Sequence, residues 1–197
     1  MFYSILLAGG LSSRMGEDKA YLEISGQSLL QAGLKLLEEI GSELIFLSGR
    51  EGYPQSVADI LERCGPPGGL YACLEYLAAR GKLDDLPLLI IPVDMPKLNP
   101  EILRVLLLHI RDQEGCHFEG EIFPCVLRAS KKLRNYLKHL FQESHQLGGK
   151  RSMRAVLEFC NSKQVSKGLF KDDFFRNINT PEDYKKVLLD DTVNQQE

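Results

Sequence analysis

No apolar run in this sequence reaches bilayer-spanning length, and no basic segment followed by an apolar stretch and a cleavage site opens it. A soluble cytoplasmic protein with no membrane partner is therefore expected. Cysteine is sparse: Cys64, Cys73, Cys116, Cys125 and Cys160 make an odd set of 5 with no CxxC spacing. That favours buried thiols in a reducing compartment over a disulfide frame or a zinc site. The 4 histidines, His109, His117, His139 and His145, form no HxxxH or HExxH pair. Cys116 and His117 are neighbours, and on a strand they would face opposite sides, which argues against a shared metal. A basic excess is also lacking. The net charge is −3 and the pI is ≈ 5.9, which argues against the broad positive surface that non-specific nucleic-acid binding needs.

Two common phosphate-binding signatures are missing as well. No GxxxxGK followed by Ser or Thr occurs, because Gly149-Lys150 runs into Arg151, and no GxGxxG follows a strand-like run. Nor is there a Ser/His/Asp or Cys/His arrangement at recognisable spacing for nucleophilic catalysis. What the chain does carry is LAGGLSSRMGEDKAYLEISGQSLL over residues 7–30, directly after an apolar run. Gly9 and Gly10 have no Cβ, so the chain can turn sharply there and bring its N–H groups against phosphate oxygens. Ser12 and Ser13 add hydroxyl donors. Arg14 supplies a planar cationic fork and Lys19 a mobile point charge. A triphosphate fits this set, and the competing reading is a strand-to-helix turn with solvated cations.

With 197 residues, 44% of them hydrophobic, the chain is expected to form one domain over 1–197 with a polar tail from about 190. Strand and helix signals alternate, which favours a parallel α/β sheet. Strands are expected over 2–7, 44–47, 86–93 and 121–127, the last with Pro124 marking an edge or a break. Helices are expected over 29–40 with Gly41 as the stop, 55–63, 70–79, 100–108 after an Asn99 cap, 130–141, 152–160, and after the Thr180 cap. Residues 64–69, CGPPGG, read as a loop.

Three further segments carry chemistry. Asp94 follows the most apolar strand run, where it is either a cap or a hard oxygen ligand for Mg²⁺. In GPPGG, the N–H groups of Gly68 and Gly69 either complete a plain turn or read a base edge. In NINTPED, Asn177 and Asn179 flank Ile178, so on an extended segment both amides share one face. They either cap the next helix or orient phosphate and metal. Ligands of open α/β sheets sit at the carboxyl ends of strands, where both the Gly9 loop and Asp94 fall.

Taken in order, LAGGLSSRMGEDKAYLEISGQSLLQ, GPPGGLYACL, IIPVDMPKLNPEIL and NINTPEDY resemble the molybdenum cofactor guanylyltransferase (MobA) family over essentially the whole chain. The resemblance implies a Rossmann-like three-layer α/β sandwich with a mostly parallel central sheet, of nucleotidyltransferase type. It implies transfer of GMP from GTP to the terminal phosphate of molybdopterin carrying molybdenum, with Mg²⁺ and loss of pyrophosphate. Leu7, Ala8, Gly9 and Gly10 would contact the nucleotide, together with Asp59 and Gly65. Lys19 would reach the triphosphate with help from Arg14, Asp94 would hold Mg²⁺, and Asn177 and Asn179 would lie in the cleft. Lys150, Arg151 and Arg154 lie where the family handles its pterin. Molybdenum-cofactor biosynthesis proteins and apo-molybdoenzymes are the implied partners.

The family usually shows GPLAG where this chain has Gly65-Pro66-Pro67-Gly68-Gly69, and the second proline removes a backbone donor. The related cytidylyltransferases tend to carry LAAG and a proline before the lysine, whereas this chain has LAGG and Asp18-Lys19. A cytidylyltransferase, another nucleotidyltransferase and a nucleotide-binding regulatory module without turnover remain the alternatives. Retention of every charged member of the set argues against the last.

Overall fold

The computed structural model describes residues 1–9, 18–57, 64–142, 151–168 and 170–194, without the side chains of 191–194. Strand β1 (Tyr3–Leu7) opens the chain. A short 3-10 turn (Lys19–Tyr21) leads into a small hairpin of β2 (Glu23–Ile24) and β3 (Gln27–Ser28). Helix α1 (Leu29–Glu39) starts at a reciprocal cap in which Ser28 and Gln31 satisfy each other's backbone N–H groups. It ends at Gly41, whose φ of 82° suits the left-handed stop, with Ser42 N–H returning to the Leu37 carbonyl at 3.2 Å. Strands β4 (Leu44–Ser48) and β5 (Ser56–Val57) follow.

Helix α2 (Gly65–Ala79), β6 (Pro87–Pro92), α3 (Pro100–His109), β7 (Gly115–Phe118), β8 (Cys125–Arg128) and α4 (Lys131–Gln142) come next. After them lie α5 (Met153–Phe159), β9 (Lys163–Val165), a second 3-10 turn (Asp172–Phe175) and α6 (Pro181–Asn194). No helix among the described residues is long and apolar enough to cross a membrane.

The main sheet runs β5-β4-β1-β6-β8-β7-β9, and only β8 runs against its neighbours on both sides. β1 is flanked by parallel β4 and β6. Side chains alternate across the pleat, so each strand feeds two cores. Tyr3, Ile5 and Leu7 join Leu70 and Leu74 of α2, Leu133 and Leu137 of α4, and Val156 of α5. Leu6 joins Leu30 and Leu37 of α1 and Leu103 and Leu106 of α3 on the other side. This is the expected three-layer α/β sandwich. A third cluster, Leu22, Leu29, Ile178 and Val187, seats α6 on the small hairpin.

Several local expectations are corrected. GPPGG is the first turn of α2 and not a loop. Pro66 and Pro67 have no N–H groups to leave unpaired, which suits a helix's opening turn. Gly68 and Gly69 are buried inside the helix, where the i→i−4 ladder takes their N–H groups, so they are not free to read a base. Gly69 is needed for packing, since a Cβ there would lie 2.0 Å from Ser48 Oγ and 2.9 Å from Ser48 Cβ. Ser56 and Val57, expected in a helix, pair with β4 as an edge strand, and the rest of that expected helix, 58–63, lies outside the described residues. The strand expected over 121–127 starts at Cys125, so Pro124 marks a break, and β8 is an interior strand and not an edge. β7 and β9 were not anticipated. α6 continues to Asn194, through part of the stretch expected as tail.

Candidate active site

The chain reverses its direction of winding at β1, because β4 and β6 lie on either side of it. That opens a crevice beyond the carboxyl ends of these three strands. Two backbone bonds draw the ends together: Ala8 N–H donates to the Ser48 carbonyl at 3.0 Å, and Val93 N–H donates to Leu7 at 2.9 Å. The loops after β1 and β4 touch backbone to backbone. A Cβ on Gly9 would sit 2.8 Å from Gly49 Cα, and one on Gly49, whose φ is +79°, would sit 2.2 Å from Gly9 Cα. Only glycine at both positions allows this approach.

A cavity of ≈ 360 Å³ occupies the crevice, walled by Leu7, Ala8 and Gly9 on one side and by Asp94, Asn177 and Asn179 on the other. Lys19 stands over it from the 3-10 turn. Its Nζ donates to Asp94 Oδ2 at 3.2 Å and to Asn179 Oδ1 at 3.0 Å. Asp94 sits in the turn directly after β6, where its own carbonyl accepts the Ile178 N–H at 2.8 Å. That bond holds the NIN segment at the crevice with Ile178 fully buried, so that Asn177 and Asn179 both border the cavity. Asp183 accepts from the N–H groups of Asn179 and Thr180 at 3.0 and 2.9 Å, bonds that hold its carboxyl below the usual range. Thr180 returns a bond to the Asp183 N–H at 3.2 Å, which completes the cap of α6.

Asp18 and Arg50 complete the wall. Arg50 donates through Nε to the Ala8 carbonyl at 2.9 Å and grips Asp18 with both terminal nitrogens. The Arg50 bonds hold the Asp18 carboxyl below its ordinary range. Farther out, Lys97 bonds to Asp173 and Asp190, tying the C-terminal segment to the loop after Asp94. Burial alone would lower the Lys97 pKa, but the two carboxylates outweigh it and raise the value.

Of the residues singled out in the sequence, Leu7, Ala8, Gly9, Lys19, Asp94, Asn177 and Asn179 thus border one cavity. Gly65 does not, although Pro66 beside it does. Gly10, Ser12, Ser13, Arg14, Asp59 and Lys150 lie outside the described residues. Arg151 and Arg154 are elsewhere: the Arg151 guanidinium lies 5.6 Å from the Phe141 ring centre, and Arg154 borders a separate cavity of ≈ 560 Å³ with His117 and Glu158. Asp18, Arg50 and Phe123 border the first cavity and were not singled out. Gly49-Arg50 follows the end of β4 as Ala8-Gly9 follows the end of β1, and applying the strand-end rule to every strand would have found Arg50.

A mostly parallel sheet whose carboxyl edge gathers a glycine turn, a lysine, a carboxylate and two amides defines an α/β nucleotidyltransferase. Residues 4–165 match the MobA-like NTP transferase domain, and the chain belongs to that family. It is 33% identical to a molybdenum cofactor guanylyltransferase of Xanthomonas euvesicatoria pv. vesicatoria, over 93% of both chains. It is 28% identical to a probable molybdenum cofactor guanylyltransferase of Carboxydothermus hydrogenoformans, again over 93% of both. Among solved structures, molybdopterin-guanine dinucleotide biosynthesis protein A of Archaeoglobus fulgidus shares the fold, with a TM-score of 0.72 at 19% identity over 100% of both chains. The 2-C-methyl-D-erythritol 4-phosphate cytidylyltransferase of Thermus thermophilus shares it at a TM-score of 0.60 and 14% identity, over 98% of this chain and 100% of that one.

Proposed function

We propose that this nucleotidyltransferase moves GMP from GTP to the terminal phosphate of molybdopterin carrying molybdenum, forming the guanine dinucleotide cofactor and pyrophosphate. The relatives named as molybdenum cofactor guanylyltransferases support the choice of substrates. The observation that carries the chemistry is the meeting of Lys19, Asp94 and Asn179 within 3.2 Å beside the Gly9 turn.

In the reaction, an oxygen of the acceptor phosphate forms a bond to the α-phosphorus of GTP while the bond from that phosphorus to the bridging oxygen breaks. The electron pair leaves on pyrophosphate. No protein nucleophile is needed, because the acceptor already carries a charge of about −1.5 to −2 near neutral pH. The difficulty is bringing two anions together. The backbone at Ala8 and Gly9 would receive the nucleotide, and Lys19 would exchange its present partners for phosphate oxygens, offsetting the charge that develops on the leaving group.

The donor set suits Mg²⁺. Among the described residues no group of three or more His, Cys, Asp and Glu could form a protein cage. Mg²⁺ is commonly held instead by one or two carboxylates and the substrate's own phosphates. Asp94 would supply the carboxylate, and Asn177 and Asn179 border the same cavity. Bound there, the ion would neutralise phosphate charge and align the triphosphate.

The test is pyrophosphate release by the purified protein with Mg²⁺ and molybdopterin, comparing GTP with CTP, ATP and UTP. Release with GTP that requires the pterin is expected. Release with CTP instead would make the protein a cytidylyltransferase, and GTP binding without turnover would make it a regulatory module.

A further inference from the structure

Arg50 touches both flanks of the glycine-rich stretch. Before it, Ala8 gives its carbonyl to Arg50 Nε at 2.9 Å, and after it, Asp18 gives both carboxylate oxygens to the two terminal nitrogens. Three of the five N–H groups of a guanidinium are thereby committed within the protein. Asp18 Oδ1 is also the cap of the 3-10 turn that begins at Lys19, accepting the Ala20 N–H at 3.1 Å. The contacts run without a gap from the end of β4, through Arg50 and Asp18, to the backbone of Lys19, and from Lys19 Nζ to Asp94 and Asn179. Arg50 is itself anchored: its side chain is only 16% exposed, and its guanidinium carbon lies 5.4 Å from the Tyr21 ring centre.

We propose that Arg50 is a positioning residue, which staples Ala8 to Asp18 and so aims Lys19 at the triphosphate. Arg50 reaches the Ala8 carbonyl and both Asp18 oxygens from three separate nitrogens, a spread that the single nitrogen of a lysine does not offer. The proposal rests on the guanylyl-transfer reading in one respect, that Lys19 acts on the substrate. Its rival is that Arg50, which borders the cavity, contacts the phosphates directly.

The experiment is a set of variants, Asp18→Asn, Arg50→Gln and the double, each made in the wild-type protein and in Lys19→Ala, with steady-state pyrophosphate release from GTP. Asp18→Asn is nearly isosteric and keeps the cap oxygen, so it tests the staple even where Arg50→Gln fails to fold. Each single variant is expected to lower kcat about 10- to 100-fold with the KM for GTP changed less than about threefold, the pattern of an interaction felt in the transition state. The double is expected to lose no more than the worse single, and each substitution should cost less than about threefold once Lys19 is alanine, since linked groups are not additive.

Wild-type kcat in Asp18→Asn, or losses that multiply in the double or persist in full without Lys19, would overturn the proposal. A raised KM at unchanged kcat would assign Arg50 to the substrate instead. If the wild-type protein itself shows no GTP-dependent turnover, the guanylyl-transfer reading fails. The staple is then read by amide exchange at Ala20, expected to quicken at least about tenfold in Arg50→Gln. An unaltered Ala20 rate would overturn the staple independently.

Discussion

Lys19 comes from the first 3-10 turn and Asp94 from the turn after β6, 75 positions apart, and they meet at 3.2 Å with both side chains about four-fifths buried. Removing either takes from the other a close ionic partner in a poorly solvated place. Lys19→Ala is expected to lower pyrophosphate release by about 10² to 10³, the cost of losing one preorganised transition-state donor, while the melting curve shows the fold retained. Turnover within a few-fold of wild type would remove Lys19 from the chemistry. Asp94→Asn preserves shape and removes the charge. It should nearly abolish transfer and shift the Mg²⁺ titration to higher concentration, and an unshifted titration would deny Asp94 the metal. The same scale shows the limit of reading charge from sequence. Lys97, one turn beyond Asp94, has the same residue type as Lys19 but is consumed by Asp173 and Asp190. Nothing in the local sequence shows that one lysine pairs with a carboxylate on the cavity and the other with two carboxylates away from it.

At the scale of elements, the crossing of the Gly9 and Gly49 loops sets how closely β1 and β4 deliver their ends. Gly49→Ala must place a Cβ 2.2 Å from Gly9 Cα at a φ of +79°. We expect it to cost about 2 to 4 kcal/mol from left-handed strain and overpacking together, read by urea denaturation. A change below about 0.5 kcal/mol would show that the loops can separate freely. Helices with chemical stops were legible in the sequence. Asn99 caps α3, Thr180 and Asp183 cap α6 and Gly41 ends α1, whereas the Ser28 and Ser152 caps of α1 and α5 were not read from the sequence. The strand runs beginning at Phe2, Leu44 and Leu86 were legible because their apolar residues face two cores. β7 and β9, of 4 and 3 residues, are too short to show a period, and they are strands because neighbours pair with them. GPPGG misled because its composition suits a turn, while its place against Ser48 is a tertiary fact. The cavity-lining residues Lys19, Asp94, Asn177 and Asn179 were legible from spacing and strand-end position. Arg50 shares the strand-end position, after β4, but that it grips Ala8 and Asp18, 42 and 32 positions away, is a tertiary fact.

For the molecule as a whole, buried and ion-paired ionisable groups bracket the pH range of greatest stability. Burial holds the His117 pKa below 6.5, so the unfolded chain takes up that proton first and stability falls as pH drops below about 6.5. Asp18 and Glu75 are held low by Arg50 and Arg134, so their contributions persist above their ordinary values near 4 and vanish as pH falls through the lowered ones. At the other end, burial pushes the Cys116 and Cys160 thiols up to about 12, and burial with Asp84 pushes Tyr3 to about 12. Unfolded thiols ionise near 9, so stability declines from there upward. The melting temperature should be highest between about pH 7 and 9 and lower by roughly 5 °C or more at pH 10.5; a flat profile from 9 to 10.5 would contradict the burial of these thiols. The sheet is complete by Val165, whereas Asn177 and Asn179 arrive with the final segment, whose Phe175 ring packs 4.9 Å from that of Phe118. A polypeptide that leaves the ribosome prematurely would thus have its scaffold but not its last cleft residues, and Phe118 would lose the Phe170 and Phe175 rings that pack on it. The lost contact that removes those cleft residues also bares apolar surface, which is what chaperones and proteases recognise.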